Sequence, residues 1–323
     1  MGNSRTNRID PEPDAPLTGH DAADSSSTVD FEQYRAARIT IIEEALGKCV
    51  SEPDGAAARL FESMRYSLLA GGKRIRPVLA IAACEAVGGG PRDALGLACA
   101  LEMIHTYSMI HDDLPCMDDD DLRRGKPTNH KVFGEAFATL AGDGLLTDAF
   151  AVLVNMTPVG IAPATTLDAV AGVARAAGSA GMVAGQVIDL LGEGRAIDIA
   201  DLEALHGLKT GALFVAASVE GGRLGGAGAA QLRALEAYAR AVGLAFQVAD
   251  DLLDVEASTE QLGKRTHKDS ERGKATYPGL LGVAQSHRLA RSLLDRANQA
   301  LLSFDGRADP LRALARFAVE RTR

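Results

Sequence analysis

Asp250 and Asp254 stand four residues apart in FQVADDLLDV. On an α-helix that spacing turns the chain by about 400° and advances it roughly 6 Å, so both carboxylates face the same way. Asp251 lies about 100° further round and is expected to contribute only from the flank. Two acids at this spacing repel each other, and the surrounding sequence is apolar, so a bound cation would offset the repulsion. A second acidic run, HDDLPCMDDDDLRRG, holds Asp112, Asp113 and Asp118. On a regular helix Asp112 and Asp118 would diverge by about 120°. Pro115 cannot continue a helix interior, so the chain is expected to bulge after Asp113 and return Asp118 towards Asp112. Carboxylates with open coordination positions suit Mg2+, which keeps waters and shares phosphate oxygens.

One acidic run alone is ordinarily a solvated turn, and Asp119, Asp120 and Asp121 are read partly that way. Two such runs, each ending a strongly apolar helix, are more than solvation requires. Counter-charges are also at hand. Arg123 and Arg124 follow the first run, and GGKRIRP at 71–77 places Lys73 and Arg76 three apart at a helix start. Backbone N–H groups and the helix dipole favour an anion there. Lys209 and Thr210 sit in the apolar GLKTGALFVAA, where a buried lysine needs a partner. Lys264 lies in a polar loop that suits a solvated lysine as well as a ligand. His105 and His111 precede the first run and, taken alone, read as core histidines; no histidine spacing suggests zinc.

These residues need helices to position them. Helical periodicity covers 31–50, 56–69, 76–87, 92–114, 134–156, 165–191, 199–220, 227–255, 274–304 and 308–321, with short Gly-rich breaks between. No strand pattern of useful length accompanies it. The expectation is one all-α domain over 30–323, preceded by a disordered tail at 1–29 rich in Pro, Asp, Ser and Gly. Composition agrees: aromatic residues make up 4% of the chain and Trp is absent, so close-packed Ala/Leu helices are favoured over sheets. A net charge of -9 argues against nucleic-acid binding. Cys49, Cys84, Cys99 and Cys116 show no CxxC pairing and read as reduced thiols of a cytosolic protein. The uncharged run 149–167 is interrupted by Asn155, Pro158, Gly160 and Pro163, so it reads as a helix end and a loop rather than a membrane span.

The ordered set GGKRIRP (71–77), HTYSMIHDDLPCMDDDDLRRGKPTNH (105–130), GQVIDL (185–190), KTG (209–211) and FQVADDLLDVEASTEQLGK (246–264) resembles the trans-isoprenyl diphosphate synthases, the polyprenyl synthetase family, and most closely the bacterial farnesyl diphosphate synthases. The resemblance covers nearly all of 31–320. It implies a bundle of about ten or more helices around a deep central cavity, assembled as a homodimer. By position, Asp112, Asp118 and Asp250, assisted by Asp113, Asp251 and Asp254, would bind Mg2+, three ions with substrate present. Arg123, Lys209 and Lys264 would neutralise the allylic diphosphate. Lys73, Arg76, His105 and Arg124 would hold isopentenyl diphosphate, and Thr210 and Gln247 would offer oxygens near the allylic cation.

The resemblance also implies the chemistry: ionisation of an allylic diphosphate, attack by the isopentenyl double bond, and loss of a proton to the departed diphosphate. Tyr107 lies five residues before Asp112, and Ser108 four before it. In this family an aromatic at the fifth position is a floor that stops growth near fifteen carbons, so the expected product is farnesyl diphosphate. The alternative is the C20 geranylgeranyl product, because DDLPCM and KPTNHKVFGE resemble geranylgeranyl synthases equally. A class I terpene cyclase fits less well, since its second metal site carries an Asn/Ser/Glu pattern where this chain has DDLLD. A non-catalytic partner subunit also fits less well, since some such relatives have lost their aspartates and both clusters are intact here.

Overall fold

The computed structural model describes residues 30–51, 54–192, 194–195, 197–256 and 274–320. The expected tail at 1–29 and Lys264 lie outside them. The helices follow the apolar periodicity: α1 (Phe31–Cys49), α2 (Ala58–Leu68), α3 (Ile75–Ala86), α4 (Leu95–Asp112), α5 (Asn129–Phe133), α6 (Glu135–Met156), α7 (Pro163–Ala177), α8 (Met182–Gly192), α9 (Ile199–His206), α10 (Ala212–Leu224), α11 (Ala229–Glu256), α12 (Tyr277–Leu281), α13 (Val283–Ala300) and α14 (Asp309–Glu320). Among the described residues the structure is all-α apart from a hairpin of two two-residue strands, β1 (Leu122–Arg123) and β2 (Lys126–Pro127). That hairpin turns on Arg124 and Gly125, both at positive φ, as a two-residue loop between right-twisted strands demands. Strands this short leave no alternation to read in the sequence.

α3 and α4 form the centre. Nearly every residue of α3 is buried, and α4 buries Leu97 to Ile104 without a break. Helices apolar all round lie inside a bundle, so α4 brings Asp112 to the edge of the core on its last turn. α6 runs beside α4 and buries Ala138, Ala141, Gly142, Leu145, Ala149 and Leu153, a three-to-four spacing that makes one stripe. By length and composition α6 could cross a bilayer. Its buried stripe instead seats it on α4, while Leu140 and Val154 on its other side are 54% and 50% exposed. α11, with 28 residues, extends about 42 Å. Its middle packs in the main core and its last turns in a smaller cluster with Leu202, Leu205 and Tyr277.

Three expected helices are divided. The span 165–191 breaks at Gly178–Gly181, where Gly181 N and Val183 N both donate to Gly178 O. The span 199–220 carries a π-helical turn, Gly207–Gly211, between α9 and α10. The span 274–304 breaks at Gly282, whose φ of +81° ends α12 and starts α13. Periodicity alone did not reveal these breaks, because apolar residues continue through each of them.

α10 meets α3 closely enough that a β-carbon at Gly221 would overlap the Ala80 carbonyl oxygen. Gly221→Ala is therefore expected to destabilise the fold by about 1–3 kcal/mol through overpacking. Urea denaturation checks this; an unchanged midpoint would show that the α3–α10 contact relaxes freely.

Candidate active site

The first acidic run turns back as Pro115 requires. α4 ends at Asp112, and beyond it Asp118 N donates to Asp112 O at 2.7 Å, Asp119 N to Leu114 O at 3.1 Å and Asp120 N to Asp113 O at 3.2 Å. Asp118 is thereby folded onto the end of α4. Burial pushes the Asp112 carboxyl up to about 6; Lys209 opposes the rise, and the charges of Asp118 and Asp113 reinforce it. Asp113 is nearly buried, at 3% exposure, and the Arg123 guanidinium grips it at 2.6–3.0 Å. Arg123 and Asp113 are thus committed to each other.

Across from this turn lies a cleft of about 190 Å3, lined by Asp118, Asp189, His206, Lys209, Thr210, Gln247, Asp251 and Lys274. It joins the two acidic regions. The π turn presents Lys209 and Thr210 to it, and α8 passes so close that a β-carbon at Gly185 would overlap the Lys209 backbone. Lys209 Nζ contacts Asp189 Oδ2 at 2.6 Å. Lys274 Nζ bridges Asp189 Oδ2 at 3.1 Å and Asp118 Oδ1 at 3.3 Å. Against the upward push of burial, Lys209 and then Lys274 hold Asp189 below the usual carboxylate range. Thr210 Oγ1 donates to Gln247 Oε1 at 3.2 Å, and Gln247 Nε2 donates to Asp251 Oδ1 at 2.9 Å.

Asp251, expected at the flank of α11, instead lines the cleft. Its other oxygen accepts from Tyr277 N at 3.0 Å, so α12 is docked on this side of α11. The cleft therefore opens on the Gln247/Asp251 edge, with Asp250 half-buried and Asp254 buried on the adjoining face. Asp250 sits near enough to Arg76 to support its charge.

The remaining basic residues gather at the start of α3. Arg76 stacks over the Phe214 ring, its guanidinium carbon 5.1 Å from the centroid, and its buried Nε has no hydrogen-bond partner among the described residues. An anion's oxygen would satisfy that donor. His105 is held neutral, first by burial and then by Arg76, Arg124, Arg123 and Arg74 around it. Arg124 Nη1 donates to Gly71 O, which ties the hairpin to the Lys73 turn. Ser108 Oγ donates to His105 O at 2.9 Å, and Tyr107, 7% exposed, lies edge-on to His111 with ring centroids 5.7 Å apart.

Asp189, Lys274 and His206 were not singled out from sequence. Asp189 stands within an apolar helix, where an acid needs a partner, and that signal was available. Lys274 is a lysine just before ATYP, and only the tertiary fold brings it to Asp118.

An all-α bundle that sets two acid-bearing helix ends and two lysines around one cleft has the arrangement of a helical enzyme for a charged substrate. Residues 57–301 match the family described as Polyprenyl synthetase. The chain belongs to the polyprenyl synthetase family and is a prenyltransferase. Two relatives from Arabidopsis thaliana are geranylgeranyl pyrophosphate synthase 11, chloroplastic, 50% identical over 91% of this chain and 83% of its own, and geranylgeranyl pyrophosphate synthase 7, chloroplastic, 48% identical over 94% and 88%. The crystal structure of an FPP/GFPP synthase from Zymomonas mobilis is 39% identical, covers 90% of this chain and 99% of its own, and superposes with a TM-score of 0.81.

Asp189→Ala would release Lys209 and Lys274 from their shared anchor. We expect kcat to fall about tenfold or more with the fold retained. Steady-state prenyl transfer measures it, and wild-type turnover would remove Asp189 from the site.

Proposed function

We propose that the chain condenses isopentenyl diphosphate head to tail with allylic diphosphates and releases the C20 product, geranylgeranyl diphosphate. The observation that carries prenyl elongation is the cleft where Asp118, Lys209, Thr210, Gln247 and Lys274 converge. The C20 length is supported by the relatives, which are about half identical over nearly the whole chain and are named for that product. The C15 product expected from Tyr107 becomes the second reading. Tyr107 is buried one turn and a half below Asp112, whose charge it feels after the larger effect of burial. A ring there would limit the room for a growing tail.

Asp112, Asp118, Asp250 and Asp254 would hold Mg2+. The donor set fits: all are oxygens, and Asp112 is driven towards protonation by burial and by neighbouring acids, a tension that a hard cation removes. Among the described residues no three such groups form a ready metal cage, so substrate oxygens and water would complete the shell. When bound, Mg2+ would supply Lewis-acid neutralisation of the diphosphate.

The protein's own part follows from charge. Lys209 and Lys274 face the cleft, where they would meet negative charge as the carbon–oxygen bond of the allylic substrate breaks. Stabilisation that grows with that charge lowers the barrier rather than merely tightening binding. Thr210 and Gln247 would offer oxygen lone pairs to the cation left behind. Lys73, Arg76, His105 and Arg124 would hold isopentenyl diphosphate, with Arg76 Nε as the waiting donor. The apolar walls would exclude water that would otherwise capture the cation.

The homodimer is part of the same proposal, and the outward side of α6, with Leu140 and Val154, offers a surface for it. The cytosolic location expected from sequence stays a proposal; the plastid location in the relatives' names belongs to those proteins.

Incubation with isopentenyl and dimethylallyl diphosphates and Mg2+ should give mainly C20 product. A C15 majority would overturn that length and restore Tyr107 as the floor, in which case Tyr107→Ala should lengthen the product. Light scattering on a sizing column should give the mass of a dimer, and Leu140→Glu with Val154→Glu should give a monomer. A wild-type monomer would refute the assembly.

A further inference from the structure

Arg74 lies between Lys73 and Arg76 and has no role in the chemistry above. It is one of three non-glycine residues at positive φ among the described residues, with φ 49° and ψ 37° at the cap of α3. A residue with a β-carbon is strained there, and it stays only where its surroundings over-determine it. The surroundings do so here. The side chain is fully buried, and each guanidinium nitrogen reaches a different helix. Nε donates to Glu43 Oε1 of α1 at 2.7 Å, Nη1 to Glu102 Oε1 of α4 at 2.5 Å, and Nη2 to Leu68 O at the end of α2 at 2.8 Å. Its own carbonyl accepts from Val78 N and begins α3.

Glu102 is only 2% exposed and stands three residues before His105, on the same face of α4. The Arg74–Glu102 pair therefore fastens the turn bearing Lys73 and Arg76 to the turn bearing His105. The hairpin joins the same assembly, because the Arg124 guanidinium fills the space where a β-carbon at Gly72 would sit.

We propose that Arg74, clamped by Glu102 and Glu43, is a positioning residue that fixes the Lys73/Arg76 turn against His105 and so sets how tightly isopentenyl diphosphate is held. This rests on the reading of Lys73, Arg76 and His105 as ligands of that substrate. A lost charge-assisted fork would let the two halves of the subsite drift apart. The allylic diphosphate, met by Lys209 and Lys274 in the separate cleft, would bind as before.

The test varies isopentenyl and geranyl diphosphate independently in steady-state assays of full-length variants. Glu102→Gln and Arg74→Gly are each expected to raise the isopentenyl diphosphate KM about tenfold, with the allylic KM within about twofold of wild type. Arg74→Gly is informative because glycine adopts the same backbone without strain: a raised KM there assigns the effect to the side chain. Arg74→Lys, which keeps the charge without the fork, should fall between. Unchanged isopentenyl KM in Arg74→Gly and Glu102→Gln, or both KM values rising together with a lowered melting temperature, would overturn the clamp. If Glu102→Gln does not fold, Glu43→Gln at the part-exposed end must raise the same KM by a smaller factor, and no rise would overturn it equally. Lys73→Ala and Arg76→Ala run alongside. If they leave the isopentenyl KM unmoved, the subsite reading fails, and the clamp's role fails with it.

Discussion

Charge removed from water must be matched, and the site depends on that constraint. The cost of burying an ion unpaired exceeds that of almost any other local defect, so acids and cations around the cleft occur in compensating groups. Arg123 closes on Asp113, Lys209 and Lys274 share Asp189, and Arg74 divides itself between Glu43 and Glu102. The last two of these groups join elements distant in sequence. Electrostatic matching thus also holds the helices in register, and a substrate rich in negative charge enters a place already organised around ion pairs.

Apolar packing delivers those charges. α3 and α4 are apolar on nearly every side, which places them at the centre and leaves their ends as the points where polar chemistry begins. His105 and Asp112 lie on the last turns of α4, and Lys73 and Arg76 flank the first residue of α3. α11 reaches from the main core to a second small core and carries Gln247, Asp250, Asp251 and Asp254 on its far part. A long rigid element of this kind sets acids opposite α4 without any contact between the two acidic runs in sequence.

What the sequence disclosed follows the range of the interactions. Helix periodicity, the bend at Pro115 and the pairing need of Lys209 are local, and all could be read. The Asp251 side of α11 could not be chosen from periodicity, because the docking of Tyr277 selects it. Lys274 reaches Asp118 across 156 residues of chain, a distance that no spacing rule spans. Arg74 is, in the sequence, one more cation of GGKRIRP; its burial between two glutamates appears only when α1, α2 and α4 are assembled. The hairpin at Arg124 and Gly125 escaped notice for a simpler reason, since two-residue strands carry no periodic signal.

The π turn at Gly207–Gly211 has a consequence for how this chain can vary. A π turn holds one residue more than the α turn it replaces. Lys209 and Thr210 therefore meet the cleft because of the number of residues in the turn as much as their identity. Loss of one residue there would restore regular α geometry with α9 and α10 still in phase, and the widened turn that presents Lys209 and Thr210 would be lost. Substitutions can be absorbed singly on either side of the turn. A change of length by one residue would alter which side chains face the cleft, so the number of residues in the turn is itself part of the candidate site.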